Sequence, residues 1–382
     1  MKKKYLLGAM LISTMMLYAQ ETPKNGETLK SVETLKVEEA PKADETLFDV
    51  ILPTQKVEKE EKPNNINVFL DSKFENKTII NSKEPNESGF QIAQARVYLE
   101  GNYKNKLRYY LRYRLNESVA KNALELAYFD YDINDKWTVT VGKQFTAWGS
   151  WDLLYNASEY YMFSNEFSSL ELFSLGAAAT YKTAGQAFKL QVISQGEQFT
   201  AENYRNKAYA GLFLWEGALF NDHFKTRYGY EIFQHDSKRY YSWVTLGNQV
   251  NFDKVVLELD WMYGFHNLAD KELTPFSADT KVAYVKDNAT VFSAKYHFKK
   301  FTPYVKAMYN YREDLDNNVA YSLTGISTAL EYYPFEKAPF KTIRLYAAYN
   351  YLNYNYQKHE VRPSDKHEHQ IAVGMRWNVP FF

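Results

Sequence analysis

The chain of 382 residues has no cysteine, only 11 prolines and equal numbers of basic and acidic residues, 46 of each. Without cysteine it has no disulfide, no thiolate metal ligand, no cysteine nucleophile and no cysteine to carry a lipid anchor. A mean hydropathy of −0.52 excludes a bundle of membrane helices, because each helix needs about 20 consecutive apolar residues. A net charge of zero argues against a protein that coats nucleic acid.

Aromatic side chains are abundant, at 17% of the chain with 33 tyrosines. A chain that is polar on average and rich in tyrosine is typical of many amphipathic strands rather than many amphipathic helices. The length is compatible with two or three domains, or with one large barrel.

The first 64 residues predict an export signal and a tether. Lys2, Lys3 and Lys4 precede an apolar run of about a dozen residues, and Ala19 is a plausible cleavage position, so residues 1–19 form a signal peptide. Residues 20–64 hold seven basic and eleven acidic residues and almost no aromatics. Such a composition buries too little apolar area to fold, which predicts a disordered acidic tether.

The remainder, residues 65–382, alternates between apolar and polar side chains. In residues 107–115 one face carries Leu and Tyr, while the other carries Arg108, Tyr110, Arg112 and Arg114. Successive side chains of a strand point to opposite faces, so one face is apolar and the other strongly basic. A soluble sandwich would bury the apolar face in a core, and a transmembrane barrel would turn it towards lipid.

The alternation recurs in sixteen segments, with the phase left open in 123–133 and 240–252. Connections after even-numbered segments tend to be tight, whereas 76–89, 145–174, 264–289 and 353–368 are longer. We therefore predict an all-β fold, a transmembrane antiparallel β-barrel of about 16 strands with short periplasmic turns and longer outer loops. The predicted strands are 65–75, 90–101, 107–116, 123–133, 136–144, 175–183, 187–196, 207–216, 224–235, 240–252, 254–265, 290–299, 301–312, 320–333, 341–352 and 369–380.

The positions of Tyr and Trp and the last residues of the chain both favour a barrel that lies in an outer membrane. Tyr and Trp fall often at strand ends, as in girdles at the lipid headgroups, although a soluble β-protein could pack them in a core. The final Phe382 on an amphipathic last strand resembles the signal that the barrel assembly machinery reads. We expect outer-membrane lipid and this machinery as partners.

Four segments carry a resemblance to a known family. They are Gln94–Gly101, with the sequence QARVYLEG, then 107–115, then Leu126–Tyr131, with LAYFDY, and Val139–Phe145, with VTVGKQF. Together they resemble the phosphate-selective porin O/P family. The resemblance implies a sixteen-stranded porin of Gram-negative bacteria, a homotrimer that passes small anions such as phosphate along a ladder of arginines.

Arginines of the polar faces come from both ends of the predicted barrel. Because the last strand of a closed barrel pairs with the first, they would form one basic arc in the lumen and select anions by sign. Alternatively, they pair with lumen carboxylates as scaffold. The candidate lumen residues are Arg96, Arg108, Arg112, Arg114, Arg344 and Arg376.

The connection 145–174 is the third outer loop, to which the resemblance assigns the constriction. It holds Asp152, Glu159, Glu166 and Glu171, and no basic residue occurs between Lys143 and Lys182. An acidic loop facing a basic wall creates a transverse field, which suits a general diffusion pore without phosphate selectivity. The loop rings could stack on a sugar or pack against the wall; they are Trp148, Trp151, Tyr155, Tyr160, Tyr161 and Phe163.

Signals for catalysis are weak, and we expect neither a cofactor nor a metal. No nucleophile elbow, phosphate-binding glycine loop or zinc-binding helix motif occurs. The run His367-Glu368-His369 falls at the end of the predicted last outer loop, and Ser293 with His297 falls on the predicted lumen face. An outer-membrane barrel enzyme and a structural barrel with a plugged lumen remain the alternatives to a porin.

Overall fold

The computed structural model describes residues 64–117, 123–195, 207–267, 272–273, 284–358 and 364–380. The predicted signal peptide and nearly all of the tether lie outside these residues and stay predictions. The described residues form sixteen strands: β1 (Asn64–Asn81), β2 (Glu87–Tyr103), β3 (Leu107–Arg114), β4 (Leu124–Asp132), β5 (Trp137–Phe145), β6 (Phe173–Thr183), β7 (Gln186–Ser194), β8 (Tyr209–Leu219), β9 (Phe224–Gln234), β10 (Tyr240–Phe252), β11 (Val255–His266), β12 (Val285–Tyr296), β13 (Phe301–Asp314), β14 (Val319–Tyr332), β15 (Arg344–Gln357) and β16 (Lys366–Pro380).

The strands close into one antiparallel barrel in sequence order, which confirms the predicted fold. The seam joins the two ends of the chain, since β1 pairs with β2 on one side and with β16 on the other. Within the described residues, no helix is long and apolar enough to cross a membrane.

Side chains alternate between the outside of the barrel and its lumen as predicted. Leu111, Leu259 and Val373 are exposed on the outer surface, whereas Arg112 and Arg376 are buried inside. Exposure of a continuous apolar surface to water is unfavourable in free energy, so the outer surface of the barrel is suited to contact with the hydrocarbon of a membrane.

The two segments of open phase have different explanations. In β4, Leu124 pairs with Tyr113 and Leu126 with Arg112, so Glu125 is the extra residue of a β-bulge that turns it into the lumen. In β10, the inward face includes Tyr241 and Trp243, which are almost fully buried inside the barrel. Both faces of β10 are therefore apolar in part, which hides the alternation.

The rims correct several predicted boundaries. The predicted loop 76–89 is mostly strand, because β1 runs to Asn81 and β2 starts at Glu87. His367 and His369 lie on the outward face of β16, packed against Tyr351 and Tyr349, and not in a loop. At the rim with the predicted short turns, which follow even-numbered strands, the connection 333–343 is long. At the opposite rim, where longer loops were predicted, three connections are short: 82–86, 235–239 and 315–318.

The third outer loop, residues 146–172, folds into the barrel; we call it the inward loop. It contains a 3₁₀ turn at Ala157–Glu159 and one short helix, α1 (Asn165–Ser169). Ser164 caps this helix by accepting a hydrogen bond from the Phe167 amide.

Candidate pore constriction and basic cavity

The inward loop crosses the lumen from one wall to the other. At its start, the Gly149 amide donates to Thr245 Oγ1 of β10 at 2.7 Å. Nine residues later, Ser158 Oγ donates to Asp71 Oδ2 of β1 at 2.8 Å. β1 and β10 lie on nearly opposite sides of a sixteen-stranded ring. The loop therefore narrows the pore across its whole width.

Close backbone packing holds the start of this loop against the wall. A Cβ atom placed on Gly149 would lie 2.1 Å from the Gly229 amide nitrogen of β9. A Cβ atom on Gly247 of β10 would lie 2.8 Å from the Gly149 carbonyl oxygen. Both distances are shorter than any real Cβ contact, so glycine is what permits the loop backbone to lie directly on the sheet.

Apolar packing seals the same side of the lumen. Trp148, Leu153, Met162 and Leu170 of the loop are buried in one cluster with inward side chains of β7 to β15. Trp148 stacks on Phe233 with ring centroids 5.3 Å apart. These side chains fill the lumen beside β7 to β15 among the described residues.

Carboxylates of the loop bind polar groups of the wall. Asp152 accepts from Lys306 at 2.5 Å, and both side chains are buried. Asp152 also donates its amide to Asp260 of β11 at 2.7 Å. Glu166 accepts from Asn310 of β13 at 2.5 Å. Glu171 is half-buried and supplies its carbonyl to Trp148 Nε1 at 3.0 Å.

Glu159 of the loop binds arginines of β15 and β16, next to the seam. It lies 2.9 Å from Arg344 of β15 and forms an ion pair with Arg376 of β16. Burial opposes its ionisation, but these two guanidiniums outweigh that effect and hold the pKa of Glu159 at about 2. Two of the four loop carboxylates, Asp152 and Glu159, thus form close ion pairs with basic groups of the wall.

A cavity of about 690 Å³ remains between the loop and the strands around the seam. We call it the basic cavity. Six basic side chains and three acidic ones line it, an excess of three positive charges. The charged lining residues are Lys73, Lys77, Arg96, Arg112, Arg114, Lys366, Glu75, Glu125 and Glu368.

The strongest charge concentration in this cavity is built around the β4 bulge. Glu125 Oε2 lies 2.8 Å from Arg96 Nε and 2.7 Å from Arg112 Nε. Arg114 lies beside Arg96 in the β2–β3 register, and no described carboxylate is within ion-pair distance of it. One further nitrogen of each buried guanidinium, Arg96 Nη1 and Arg112 Nη2, has no hydrogen-bond partner among the described residues. Unsatisfied buried donors beside a cavity are suited to receive an anion.

The six predicted lumen arginines all face inward, but they fall into three groups. Arg96, Arg112 and Arg114 line the basic cavity. Arg344 and Arg376 are Cα partners across β15 and β16 and bind the loop through Glu159. Arg108 lies at the turn end of β3, where it donates to Asp132 Oδ1 at 3.1 Å.

Several site residues were absent from the sequence prediction. Lys73 and Lys77 of β1 alternate with Asp71 and Glu75 on one face, a signal that was available in the sequence. Glu125 had no such signal, since a bulge reverses its expected direction.

Most aromatic side chains of the inward loop pack against other side chains of the barrel. Trp148, Trp151 and Tyr160 are nearly fully buried, as expected for packing against the wall. Phe163 differs, because it is 42% exposed and lines the basic cavity. Its ring stacks on Phe167 with centroids 4.8 Å apart and planes at 10°.

The residues considered for catalysis do not meet. Ser293 Oγ donates to Glu258 at 2.7 Å, while His297 contacts Thr302 at 3.1 Å. The described part of the chain has no group of three His, Asp or Glu side chains able to hold a metal ion.

A sequence model of the family described as "Phosphate-selective porin O and P" matches residues 68–381. The chain belongs to this family. It is accordingly an outer-membrane porin, which agrees with its closed barrel and inward loop. A comparison with curated protein sequences finds no match.

Solved structures of similar fold include an outer-membrane channel, an anion-selective porin and an outer-membrane protein. The outer membrane channel DcaP of Acinetobacter baumannii is 12% identical, with 83% of this porin and 99% of that chain covered and a TM-score of 0.59. An anion-selective porin from Comamonas acidovorans is 12% identical, covering 83% and 100%, with a TM-score of 0.57. OmpT of Vibrio cholerae is 11% identical, covering 84% and 99%, also at 0.57. At such identities the likeness concerns the fold.

Proposed function

We propose that this porin carries small anions by passive diffusion through the basic cavity beside the inward loop. The observation that carries the proposal is the cluster of Arg96, Arg112 and Arg114, in which three guanidiniums have one carboxylate, Glu125, among them. A fixed excess of positive charge in a narrow passage raises the local concentration of anions and repels cations. The name of the Comamonas porin, an anion-selective one, is consistent with this.

Inorganic phosphate is one candidate solute. Guanidinium groups offer paired donors that match phosphate oxygens, and they stay charged at all working pH values. The inward loop contributes no basic residue, so the wall strands β1 to β3 would supply the contacts. If phosphate binds there, millimolar phosphate will reduce the single-channel chloride current; a general diffusion pore would show no such block.

We infer that the protein is a channel and not an enzyme. Ser293 and His297, which could have formed a nucleophile and base, hydrogen bond to different partners. Detergent-solubilised protein should therefore show no turnover of lipid or ester substrates, and measurable turnover would contradict this inference.

We also propose that the porin is a homotrimer in outer-membrane lipid, placed there by the barrel assembly machinery. A structure of Vibrio cholerae OmpT is of a trimer form. Light scattering of the detergent-solubilised protein, corrected for bound detergent, should give three times the mass of one chain.

The proposed selectivity is tested by the reversal potential of the porin in planar bilayers under a KCl gradient. We expect it to favour chloride. Arg114→Gln should shift it towards potassium, because Arg114 is half-buried at the cavity and its removal leaves no described carboxylate unpaired. Arg239→Gln is the matched control, since Arg239 is exposed on the rim loop 235–239 and does not line the cavity.

Two results would contradict the proposal. A potassium-selective wild type would exclude an anion pathway. The absence of any steady open level would show that the inward loop plugs the lumen, as its anchors on both walls would permit.

A further inference from the structure

The basic cavity has two chemically different walls. The strand wall supplies guanidinium and ammonium groups, as described above. The loop wall supplies rings and apolar side chains, and they face the same space. Most of these side chains belong to the inward loop, and two, Phe145 and Phe173, lie at the adjoining ends of β5 and β6. Those of the loop are Leu153, Tyr155, Tyr160, Tyr161, Met162, Phe163, Phe167 and Leu172.

Phe163 is the most exposed part of this wall. Other apolar side chains of the loop, such as Trp148 and Met162, are 1% and 3% exposed, so the loop is able to bury its rings. Phe163 nevertheless is 42% exposed and lines the cavity, and its ring stacks on that of Phe167. An exposed apolar ring in an aqueous passage leaves hydrophobic free energy available to a bound solute.

The strand wall meets the ring wall at Arg112. The Arg112 guanidinium lies 4.6 Å from the Phe173 ring centroid and 5.2 Å from that of Phe145. Such cation–π contacts hold its planar group in one orientation. Its nitrogen Nη2 has no described partner, and the whole side chain is 3% exposed. A pre-oriented donor for an oxygen anion therefore lies at the edge of the apolar wall.

The volume favours an organic solute. Sites for small organic molecules have volumes of roughly 300 to 1,000 Å³. The basic cavity, at about 690 Å³, falls in this range and is far larger than an inorganic anion needs. An inorganic anion would also leave the ring wall in contact with water.

From these observations we propose that the cavity binds aromatic carboxylates during their passage. The carboxylate would accept from Arg112 and its neighbours, and the ring would pack on Phe163. This proposal rests on the proposed anion pathway and narrows it to a class of solute. Benzoate is the simplest probe, because it has one carboxylate and one ring.

The experiment measures the concentration of each anion that halves the single-channel KCl current at pH 7. The anions are benzoate, cyclohexanecarboxylate, acetate and phosphate. We expect benzoate to act at a concentration roughly two- to tenfold lower than acetate, the factor that one aromatic contact supplies. Equal concentrations for benzoate and acetate would overturn the proposal. Equal concentrations for benzoate and cyclohexanecarboxylate would overturn its aromatic part.

Two substitutions locate the effect. Phe163→Ala should bring the benzoate concentration close to that of acetate. Phe163→Leu, which keeps an apolar side chain without a ring, should lose most of the benzoate preference and keep part of that for cyclohexanecarboxylate. Phe220→Ala is the control, because Phe220 is 75% exposed in a turn of the opposite rim. An unchanged benzoate preference in Phe163→Ala would overturn the assignment to the loop.

Failure of this proposal is distinguishable from failure of the anion pathway. The reversal potential of the wild type in KCl reports on anion selectivity alone. A chloride-selective pore without benzoate preference would contradict the aromatic site and leave the anion pathway standing. A potassium-selective pore would contradict both.

Discussion

Glu125 Oε2 lies 2.7 Å from Arg112 Nε, and this contact exists because a β-bulge turns Glu125 into the lumen. The same oxygen is 2.8 Å from Arg96 Nε. The carboxylate holds two guanidiniums together at a distance that their mutual repulsion would otherwise oppose, and it leaves the cluster with a positive excess.

Glu125→Gln should therefore raise anion selectivity and lower stability. Loss of the carboxylate leaves two buried guanidiniums without compensation, and breaking a buried ion pair from one side costs about 3–5 kcal/mol. The reversal potential in a KCl gradient should move further towards chloride, and the urea midpoint of the folded barrel should fall. Glu216→Gln is the matched control, because Glu216 pairs with Arg227 outside the basic cavity. If Glu216→Gln changed selectivity as much as Glu125→Gln, the cavity would not set it.

Lys306→Met should loosen the inward loop. Lys306 Nζ donates to Asp152 Oδ1 at 2.5 Å and to the Met162 carbonyl at 3.0 Å, so it holds two points of the loop to β13. Without it, Asp152 would be a buried charge lacking its cation, and the loop would leave the wall. Single-channel recording should show a larger or noisier conductance. Lys300→Met serves as control, since Lys300 pairs with Glu336 at the exposed turn rim. An unaltered conductance in Lys306→Met would mean that the other anchors suffice.

The contact of Glu159 with Arg344 and Arg376 should be independent of pH across the physiological range. Its pKa is lowered to about 2, so its contribution is fully present above the ordinary value of 4.5 and is lost as pH falls through about 2. The difference in open-channel current between the wild type and Glu159→Gln should thus be constant from pH 8 to pH 5 and disappear only in strong acid. A transition of this difference near pH 6 would be incompatible with the assignment.

Paired substitutions in the loop provide the control for this pH behaviour. Burial, with a contribution from the nearby Asp287, raises the pKa of Glu166 well above its ordinary value, so the two carboxyl groups of the loop are shifted in opposite directions. Glu166→Gln should resemble the wild type, whereas Glu159→Gln should destabilise the loop at every pH. Equal behaviour of the two variants would refute the assigned charge states.

The alternation of side chains was sufficient to predict the strands, because the outer face of each strand meets one solvent. The alternation did not reveal which side chains face the lumen in β10 and β4. In β10, Tyr241 and Trp243 are apolar on the lumen side, where they join the buried cluster of the inward loop. In β4, the bulge at Glu125 interrupts the period of two. Both features depend on residues distant in the sequence, the inward loop for β10 and the paired strand β3 for β4.

The sequence was sufficient to predict which arginines face the lumen, but not which carboxylates they pair with. Inward arginines near the seam follow from strand phase and closure. Which of them bind the loop depends on where the loop's carboxylates lie, and that depends on an irregular segment of 27 positions, 146–172. Arg344 and Arg376 therefore serve as anchors, while Arg96, Arg112 and Arg114 border the cavity.

The seam between β1 and β16 has a consequence for biogenesis. Lys73 and Arg376 are direct neighbours across this seam, although 303 positions separate them in the chain. A half-inserted sheet that lacks the last strand has neither the complete basic wall nor the Arg376 end of the loop clamp. The basic wall and the loop clamp are therefore complete only once β1 and β16 have paired.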